Sequence, residues 1–195
     1  MTENKILMER ARETLRGRWG LAIGAMLVWL LINMAIQYIP VGGWLLSWLI
    51  SGPMALGLCI FTLNFSRNQN PQFEQIFEGF KDFGKALGTY LLMTLYILLW
   101  TLLLIVPGII AALSYSMTFF ILADNRGVGI KESLEKSKKM MDGYKWKLFC
   151  LSLRFIGWTI LSVLTLGVGF LWLMPYMQVS YAKFYDDVKD KPSTV

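Results

Sequence analysis

The chain has 195 residues, of which 55% are hydrophobic and 14% aromatic, and its formal net charge is +6. Its positive mean hydropathy excludes an ordinary water-soluble domain, because such domains contain far fewer apolar residues. The sequence has no His, and its two Cys are single residues inside apolar stretches, so metal and thiol catalysis lack their usual ligands and nucleophiles. We therefore expect a membrane protein that is not an enzyme and that holds no metal ion or cofactor.

Six apolar stretches approach or exceed the length that a helix needs to cross a bilayer core of about 30 Å. Uncharged turns at residues 40–43, 106–108 and 166–169 join them in pairs. The fourth and sixth stretches are the shortest, and we include them because a tight turn ties each to a full-length partner. The pattern predicts an all-α, polytopic bundle of three transmembrane hairpins that forms one integral membrane domain over residues 1–195. The predicted spans are 19–39, 44–65, 86–106, 108–123, 146–166 and 169–185.

Charge predicts the orientation of these hairpins. Eighteen of the nineteen Lys and Arg residues lie in the amino-terminal segment, the two longer loops and the carboxyl-terminal segment. Short basic segments stay on the cytoplasmic side of a membrane during insertion, so we expect both termini in the cytoplasm. The first fifteen residues are charged and contain no apolar signal core, so we expect no secretory signal peptide.

Three charged segments also carry apolar stripes at helical spacing, which predicts three amphipathic cytoplasmic helices. The second of them would begin with Asn70 as N-cap and Pro71 at its first position. Such helices lie in the headgroup region and favour anionic lipid. Alternatively, they pack over the bundle or are solvated by their charges. The stripes are Leu7, Ala11 and Leu15; Phe73, Ile76, Phe77, Phe80 and Phe83; and Ile130, Leu134, Ser137 and Met141.

The order of surface helix, span, turn and span occurs three times, which indicates an internal repeat with units 1–66, 67–124 and 125–187. Gly17, Gly84 and Gly143 each precede a residue of the corresponding turn by 23 positions. Chance similarity among hydrophobic segments is the alternative explanation. The turn residues are Pro40, Pro107 and Leu166.

The second half of the sequence contains a series of short motifs. They include Val106-Pro107-Gly108-Ile109-Ile110, Ser114-Tyr115-Ser116-Met117, Phe120-Ile121-Leu122-Ala123-Asp124, Met141-x-Gly143-Tyr144-Lys145, Phe155-Ile156-Gly157-Trp158 and Leu164-Thr165-Leu166-Gly167-Val168-Gly169. With these motifs the sequence resembles a bacterial family, the domain of unknown function 975 family. The amino-terminal basic helix that leads into Gly17-Arg18-Trp19 is similar to the start of that family. The resemblance implies a multi-pass protein of the bacterial plasma (inner) membrane and supplies no catalytic residues.

Arg154 is the one cation inside an apolar stretch. It follows Lys147 by seven residues, which places its backbone about 10 Å from the cytoplasmic end of the predicted span. The spans contain no acidic residue, so its partner would be an acid of a surface helix, a backbone carbonyl, a lipid phosphate or a bound anion. Trp158, one turn further on, is placed to stack on the guanidinium. We expect a structural or lipid-phosphate contact, with a ligand site as the alternative.

Polar residues in the fourth and sixth spans form a second candidate site. When these spans are overlaid with an offset of 62 residues, Ser114 falls on Tyr176, Ser116 on Gln178 and Asp124 on Asp186. Alternate positions of a helix do not share one face, so only part of this set lines a common cavity. We take Ser116, Tyr176 and Gln178 as candidate ligand contacts; hydrogen bonds between helices are the alternative.

Two prolines, Pro53 and Pro175, lie within predicted spans and are expected to kink them. Kinked and broken helices build substrate sites in transporters. They also occur in spans without such a role.

Two functions follow as hypotheses. The first is a membrane transport component that handles lipid or a small solute from the cytoplasmic side, with anionic lipid as its partner and Arg154 attracting the anion. The second is a scaffold or regulatory protein that recruits a membrane-protein partner, or a second copy of itself, through its amphipathic helices. The positive-inside bias accounts for the net charge of +6, so we expect no nucleic-acid binding.

Overall fold

The computed structural model describes residues 2–39, 42–189 and 191 of the chain. In this part of the chain all regular secondary structure is helical, which confirms the predicted all-α class. The predicted turn at residues 40–43 lies partly outside the described residues. The elements are α1 (Asn4–Leu15), α2 (Trp19–Gln37), α3 (Gly43–Ser66), a 3₁₀ helix (Phe73–Phe80), α4 (Phe83–Leu103), α5 (Ile105–Tyr115), α6 (Thr118–Asp124), α7 (Ile130–Met140), α8 (Lys145–Leu164) and α9 (Phe170–Val188).

Among the described residues, five segments are long and apolar enough to cross a membrane: α2, α3, α4, α5 together with α6, and α8. They coincide with the first five predicted spans, as expected of a membrane protein. The sixth predicted span also forms a helix, α9. Its last turns contain Lys183, Asp186 and Asp187, and α9 is not one of the five.

The apolar helices form an inner and an outer group. In α3 and in α5–α6, 56% of the most apolar segment is buried, against 22% in α2, 11% in α4 and 22% in α8. The second helix of each of the first two hairpins is therefore the inner one. The helix α9, which follows α8, occupies a comparable position because it packs against α1, α2, α3 and α8.

The stripes of α1 and α7 are buried inside the protein. In α1, Leu7, Ala11 and Leu15 are at most 1% exposed, and the helix packs mainly against α9. In α7, Leu134 and Ser137 are buried, and the helix packs against α4, α5 and α6. For these two helices the structure favours the alternative interpretation, in which they cover the bundle.

The predicted second amphipathic helix is present but has a different form. It is a 3₁₀ helix preceded by Gln72, and Asn70 has a φ of 44°, so the assignment of Asn70 as N-cap and Pro71 as first helical residue was wrong. A 3₁₀ helix has three residues per turn, which aligns Phe73, Ile76 and Gly79 on one line. Ile76 is fully buried, whereas Phe73 and Phe77 are 41% and 46% exposed.

Two glycines bring the 3₁₀ helix into backbone contact with α3. A Cβ atom on Gly57 would overlap the carbonyl oxygen of Ile76, and a Cβ atom on Gly79 would overlap that of Pro53. The contact positions on α3 are Pro53 and Gly57. They lie in the middle of the helix, thirteen and nine residues before its last residue, Ser66. The loop after α3 therefore folds back along the helix instead of continuing away from it.

The fourth predicted span is interrupted between α5 and α6, at Ser116 and Met117. Ser137 of α7 bonds to both sides of this interruption: its hydroxyl accepts the Met117 N–H at 3.2 Å and donates to the Ser114 carbonyl at 2.8 Å. The hydroxyl thereby replaces backbone hydrogen bonds that a continuous helix would make. The helices α3 and α9, by contrast, run without interruption through Pro53 and Pro175.

We expect Ser137→Ala to lower the stability of the protein by about 2 kcal/mol, because the Met117 N–H and the Ser114 carbonyl lose their partner in a buried site. For a chain of this size the melting temperature falls by about 4–8 °C. Ser133→Ala is the matched control, since Ser133 is equally buried but bonds only to Ile130 of its own helix. Thermal unfolding of both variants in one detergent measures the difference. Equal melting temperatures would contradict the role given to Ser137.

The carboxyl-terminal ends of the three inner segments meet in an ion-pair cluster. Arg67, just after α3, binds Asp124 at the end of α6 at 2.5 Å and Asp186 near the end of α9 at 2.7 Å. Lys189 lies 3.4 Å and 3.7 Å from the same two carboxylates. Burial alone would lower the pKa of Arg67, but its hydrogen bonds to both aspartates raise it. We call this side of the molecule the charged end of the bundle.

Candidate functional site

A groove lies between the α8–α9 hairpin and the amino-terminal helices, with a cavity volume of about 350 Å³. The helices α8 and α9 form its long walls, Trp19 stands at the start of α2, and Arg12 of α1 lies at the rim. We call it the aromatic groove because three Trp and one Tyr line it. Its other residues are Trp158, Leu161 and Ser162 of α8, Thr165 and Gly169 of the turn between the two helices, and Trp172, Leu173 and Tyr176 of α9.

The two long walls have the same spacing. On each helix the lining residues occupy positions i, i+3, i+4 and i+7, starting from Trp158 on α8 and from Gly169 on the second wall. Residues at this spacing form one stripe of a helix. The groove therefore follows about 10 Å of each helix axis.

The turn between α8 and α9 holds the walls together. The Thr165 hydroxyl accepts the N–H of Gly169 at 3.1 Å and donates to the Ser162 carbonyl at 2.9 Å. A Cβ atom on Gly169 would lie 2.7 Å from the Ser162 hydroxyl oxygen, so the two helices approach more closely than a larger residue would allow. Leu166 and Gly167 adopt positive φ angles of 53° and 87° to close the turn.

Tyr176 is positioned by an aromatic contact. The Phe155 ring meets it edge-on, with centroids 5.4 Å apart and an interplanar angle of 87°, a favoured geometry for aromatic pairs. Within the described residues its hydroxyl makes no hydrogen bond. Trp158 and Trp172 are 55% and 50% exposed, so the groove is open along its side.

Arg12 supplies the positive charge of the groove. It projects from α1 beside the buried Ala11, and its side chain is exposed. Among the partners that the described residues offer, its guanidinium forms neither an ion pair nor a side-chain hydrogen bond. A guanidinium presents a fork of donors that matches carboxylate and phosphate oxygens. The groove thus combines an apolar, aromatic body with one uncompensated cation.

Ion pairs fix the other end of the α8–α9 hairpin. Asp187 accepts hydrogen bonds from Lys147 at 3.0 Å, from Lys191 at 2.9 Å and from the hydroxyl of Thr2 at 2.6 Å. Burial alone would raise the pKa of Asp187, but these hydrogen bonds outweigh it and hold the pKa well below its ordinary value. The cluster ties the start of α8, the end of α9 and the residues before α1 into one unit, which holds Arg12 against the groove.

The structure brings together only some of the predicted site residues. Trp158 and Tyr176 both line the groove. Arg154 is exposed and has no ion pair within the described part of the chain; it precedes Trp158 by four residues and so lies on the same side of α8. Gln178 is two positions from Tyr176 and therefore lies on the opposite side of α9. Ser116 lies at the α5–α6 interruption, where its hydroxyl donates to Leu113.

Three further residues of the groove, Arg12, Trp19 and Trp172, were not predicted from the sequence. Arg12 was grouped with the other cations of an amphipathic helix, although its position after Ala11 places it at the edge of the buried stripe. The repeated i, i+3, i+4, i+7 spacing of polar and aromatic residues on both sides of the 166–169 turn was the available signal. This spacing identifies α8 and α9 as the walls of the groove, but it does not predict that α1 packs over them.

Comparison with known proteins finds one family. The family model described as "Protein of unknown function (DUF975)" matches residues 1–114 and 102–192, which together are nearly the whole chain. No curated protein and no solved structure matches the chain. In residues 2–39, 42–189 and 191 no group of three His, Cys, Asp or Glu is arranged to hold a metal ion.

Proposed function

Since the chain belongs to the DUF975 family, whose description names no activity, we propose from the structure that it binds an anionic amphiphile in the aromatic groove and handles it as a lipid transport component. The headgroup lies at Arg12 and the hydrocarbon chain lies along α8 and α9. The observation that carries the proposal is an arginine at the rim of an apolar groove that forms no ion pair and no side-chain hydrogen bond within the described residues.

The size and shape of the groove support a lipid over a polar solute. A volume of about 350 Å³ is at the small end of ligand sites, so the groove holds one chain or part of a headgroup while the rest of the molecule stays in the bilayer. The exposed faces of Trp158 and Trp172 make the side of the groove accessible from the surrounding hydrocarbon. The lining is mainly apolar and aromatic, and its polar groups besides Arg12 and the Tyr176 hydroxyl are single hydroxyls and indole N–H groups, so most of a small hydrophilic solute would contact apolar surface.

The orientation that we propose places the charged end of the bundle in the cytoplasm of a bacterial cell, because its basic residues follow the positive-inside pattern. In this orientation α9 is the sixth span, although its last turns are charged. The bond of Arg67 to Asp124 and Asp186 supports a threefold hairpin unit, since each second helix then ends in one member of the cluster. Because the walls of the groove flank the 166–169 turn, this orientation places them in the half of the bilayer away from the cytoplasm.

The apolar stripes of α1 and α7 are buried, which argues against the scaffold hypothesis for these two helices. Recruitment through α1 or α7 requires a free apolar face, yet Leu7, Leu15 and Leu134 are at most 2% exposed. Freeing them would separate α1 from α9 or α7 from α6. Lipid binding requires no such rearrangement, so we favour it over recruitment through α1 or α7; the 3₁₀ helix, with Phe73 and Phe77 exposed, keeps an accessible apolar face.

The test is native mass spectrometry of protein extracted gently from membranes, with phosphatidylglycerol and phosphatidylcholine offered at equal concentration. We expect the unaltered protein to retain phosphatidylglycerol preferentially. Arg12→Ala should weaken that retention about tenfold or more, because a charge-assisted hydrogen bond contributes roughly 1.5–3 kcal/mol. Arg154→Ala should weaken it less, since Arg154 lies on the same side of α8 but does not line the groove.

Lys131→Ala is the matched control for the loss of one cation. Lys131 is exposed on α7, has no ion pair among the described residues and is outside the groove. The control should retain phosphatidylglycerol as the unaltered protein does. Equal retention by the Arg12 and Lys131 variants would refute the proposed site.

A further inference from the structure

A second cavity lies on the other side of α1 from Arg12, at the charged end of the bundle. Its volume is about 440 Å³, it is open to the surface, and it is bordered by α1, the residues between α1 and α2, the loop after α3, and α9. Four of its lining residues are cations and one, Glu13, is an anion. We call it the basic cavity. The cations are Arg10, Arg16, Arg18 and Lys183.

The backbone brings these cations together. Gly17 has a φ of 82°, a left-handed conformation that glycine adopts readily and that ends α1. It reverses the chain between Arg16 and Arg18, so both reach the same cavity although α1 and α2 are separate helices. Lys183 comes from α9, where its ammonium donates to the carbonyl of Ser66 at the end of α3.

The protein leaves most of this charge uncompensated. Glu13 forms no ion pair with the cavity cations among the described residues. Arg18 has a neutral partner, the side-chain oxygen of Asn68, at 3.4 Å. The guanidinium groups of Arg10 and Arg16 have no side-chain partner in the described part of the chain. Like charges gathered around one cavity repel each other, and a bound anion with several oxygen atoms relieves that repulsion.

We propose that the basic cavity is a phosphate-binding site that faces the cytoplasm. Three guanidinium groups and one ammonium group suit a phosphate. A phosphate accepts bidentate hydrogen bonds from Arg and is attracted by the compact positive charge of Lys. The phosphate belongs either to a soluble phosphorylated compound or to the headgroup of an anionic lipid. This site is distinct from the aromatic groove, because the two share no lining residue: Arg12 lines the groove, whereas Arg10 of α1 and Arg16, which follows that helix, line the basic cavity.

The experiment uses the full chain in two kinds of lipid nanodisc. In nanodiscs of phosphatidylcholine, inorganic pyrophosphate is titrated and its binding is followed by phosphorus NMR and calorimetry. In nanodiscs that also contain phosphatidic acid, retention of that lipid is measured after extraction. The test variant is Arg10→Ala with Arg16→Ala, two exposed residues. Its melting temperature without added phosphate, compared with that of the unaltered protein, reports whether it is folded.

The control is Lys131→Ala with Lys138→Ala, which removes two exposed cations of α7 that line neither the aromatic groove nor the basic cavity. We expect the test variant to weaken binding of one of the two probes by about tenfold or more and the control to leave it unchanged. An effect on pyrophosphate identifies a soluble ligand, and an effect on phosphatidic acid alone identifies a lipid headgroup. Arg12→Ala should leave pyrophosphate binding intact, which separates this site from the groove.

The proposal is overturned if neither probe distinguishes the test variant from the control. Should the double alanine variant fail to fold, Arg10→Gln with Arg16→Gln takes its place, since Gln keeps a polar end and part of the methylene stem of Arg while removing both charges. Binding by this variant equal to that of the control would overturn the proposal as well.

Discussion

Replacing Gly57 with alanine should prevent the 3₁₀ helix from docking on α3 and lower the stability of the protein by about 3 kcal/mol or more. The added methyl group would overlap the carbonyl oxygen of Ile76, which is a backbone atom and cannot rotate away as a flexible side chain would. Either the 3₁₀ helix moves off α3 or α3 bends. The melting temperature should fall by at least about 6–12 °C, and the protein should accumulate poorly in membranes.

Gly157→Ala is the matched control. Gly157 is also inside an apolar helix, α8, but no atom lies within 4 Å of the position that its Cβ would take. Alanine is a better helix former than glycine, so this variant should melt at the same temperature as the unaltered protein or slightly higher. The two variants differ only in which glycine gains a methyl group. If Gly57→Ala and Gly157→Ala have the same melting temperature, the 3₁₀ helix does not pack against α3 as described.

Replacement of Arg67 with glutamine should have the next largest effect. It leaves Asp124 and Asp186 facing each other with Lys189 as their remaining cation. Removing one partner from a fully buried ion pair costs about 3–5 kcal/mol. The side chains here are 22–25% exposed, which reduces the cost to about 2–3 kcal/mol. The ends of α3, α6 and α9 should then separate more readily than any other part of the bundle.

Hydrogen exchange and thermal unfolding together measure this effect. The ends of α6 and α9 should exchange faster in Arg67→Gln while α2 and α8 keep their protection. Arg126→Gln is the control, because Arg126 pairs with Glu78 and Asp82 but is 41% exposed, and exposed pairs contribute about 0–1 kcal/mol. Adding Asp186→Asn to Arg67→Gln should recover part of the loss, since one uncompensated carboxylate disappears. Additive effects of the two substitutions would show that Arg67 and Asp186 do not interact.

Periodicity and length predicted the helices of this fold well because both act within a single element. The spans at 19–39, 44–65 and 86–106 differ from α2, α3 and α4 by a few residues at their ends. Two features escaped prediction because they depend on contacts between elements. The α5–α6 interruption contains no proline and is stabilised by Ser137, twenty-one residues after Ser116. The 3₁₀ helix depends on the glycines of two segments that meet only in the folded chain.

Only part of the candidate site was predicted, because the rest again depends on contacts between elements. Trp158 and Tyr176 belong to adjacent helices joined by a short turn, so their proximity follows from the hairpin itself. Arg12 reaches them only because α1 folds back against α9, a contact that no local pattern encodes. Arg154 was predicted as a candidate because it is a charge in an apolar stretch. Its position alone did not show that it lies with Trp158 on the exposed side of α8.

The apolar tips of the hairpins have few protein neighbours. Leu102, Ile105, Leu164 and Leu166 are each more than 70% exposed, whereas the second half of α3 is almost entirely buried. Contacts between side chains of the protein thus hold the helices together mainly near the charged end. Where neighbouring side chains do not fix the tilt of a helix, a mismatch between its apolar length and the thickness of the hydrocarbon is accommodated by tilting. The same chain should have differently spaced hairpins in a thin bilayer and in a thick one.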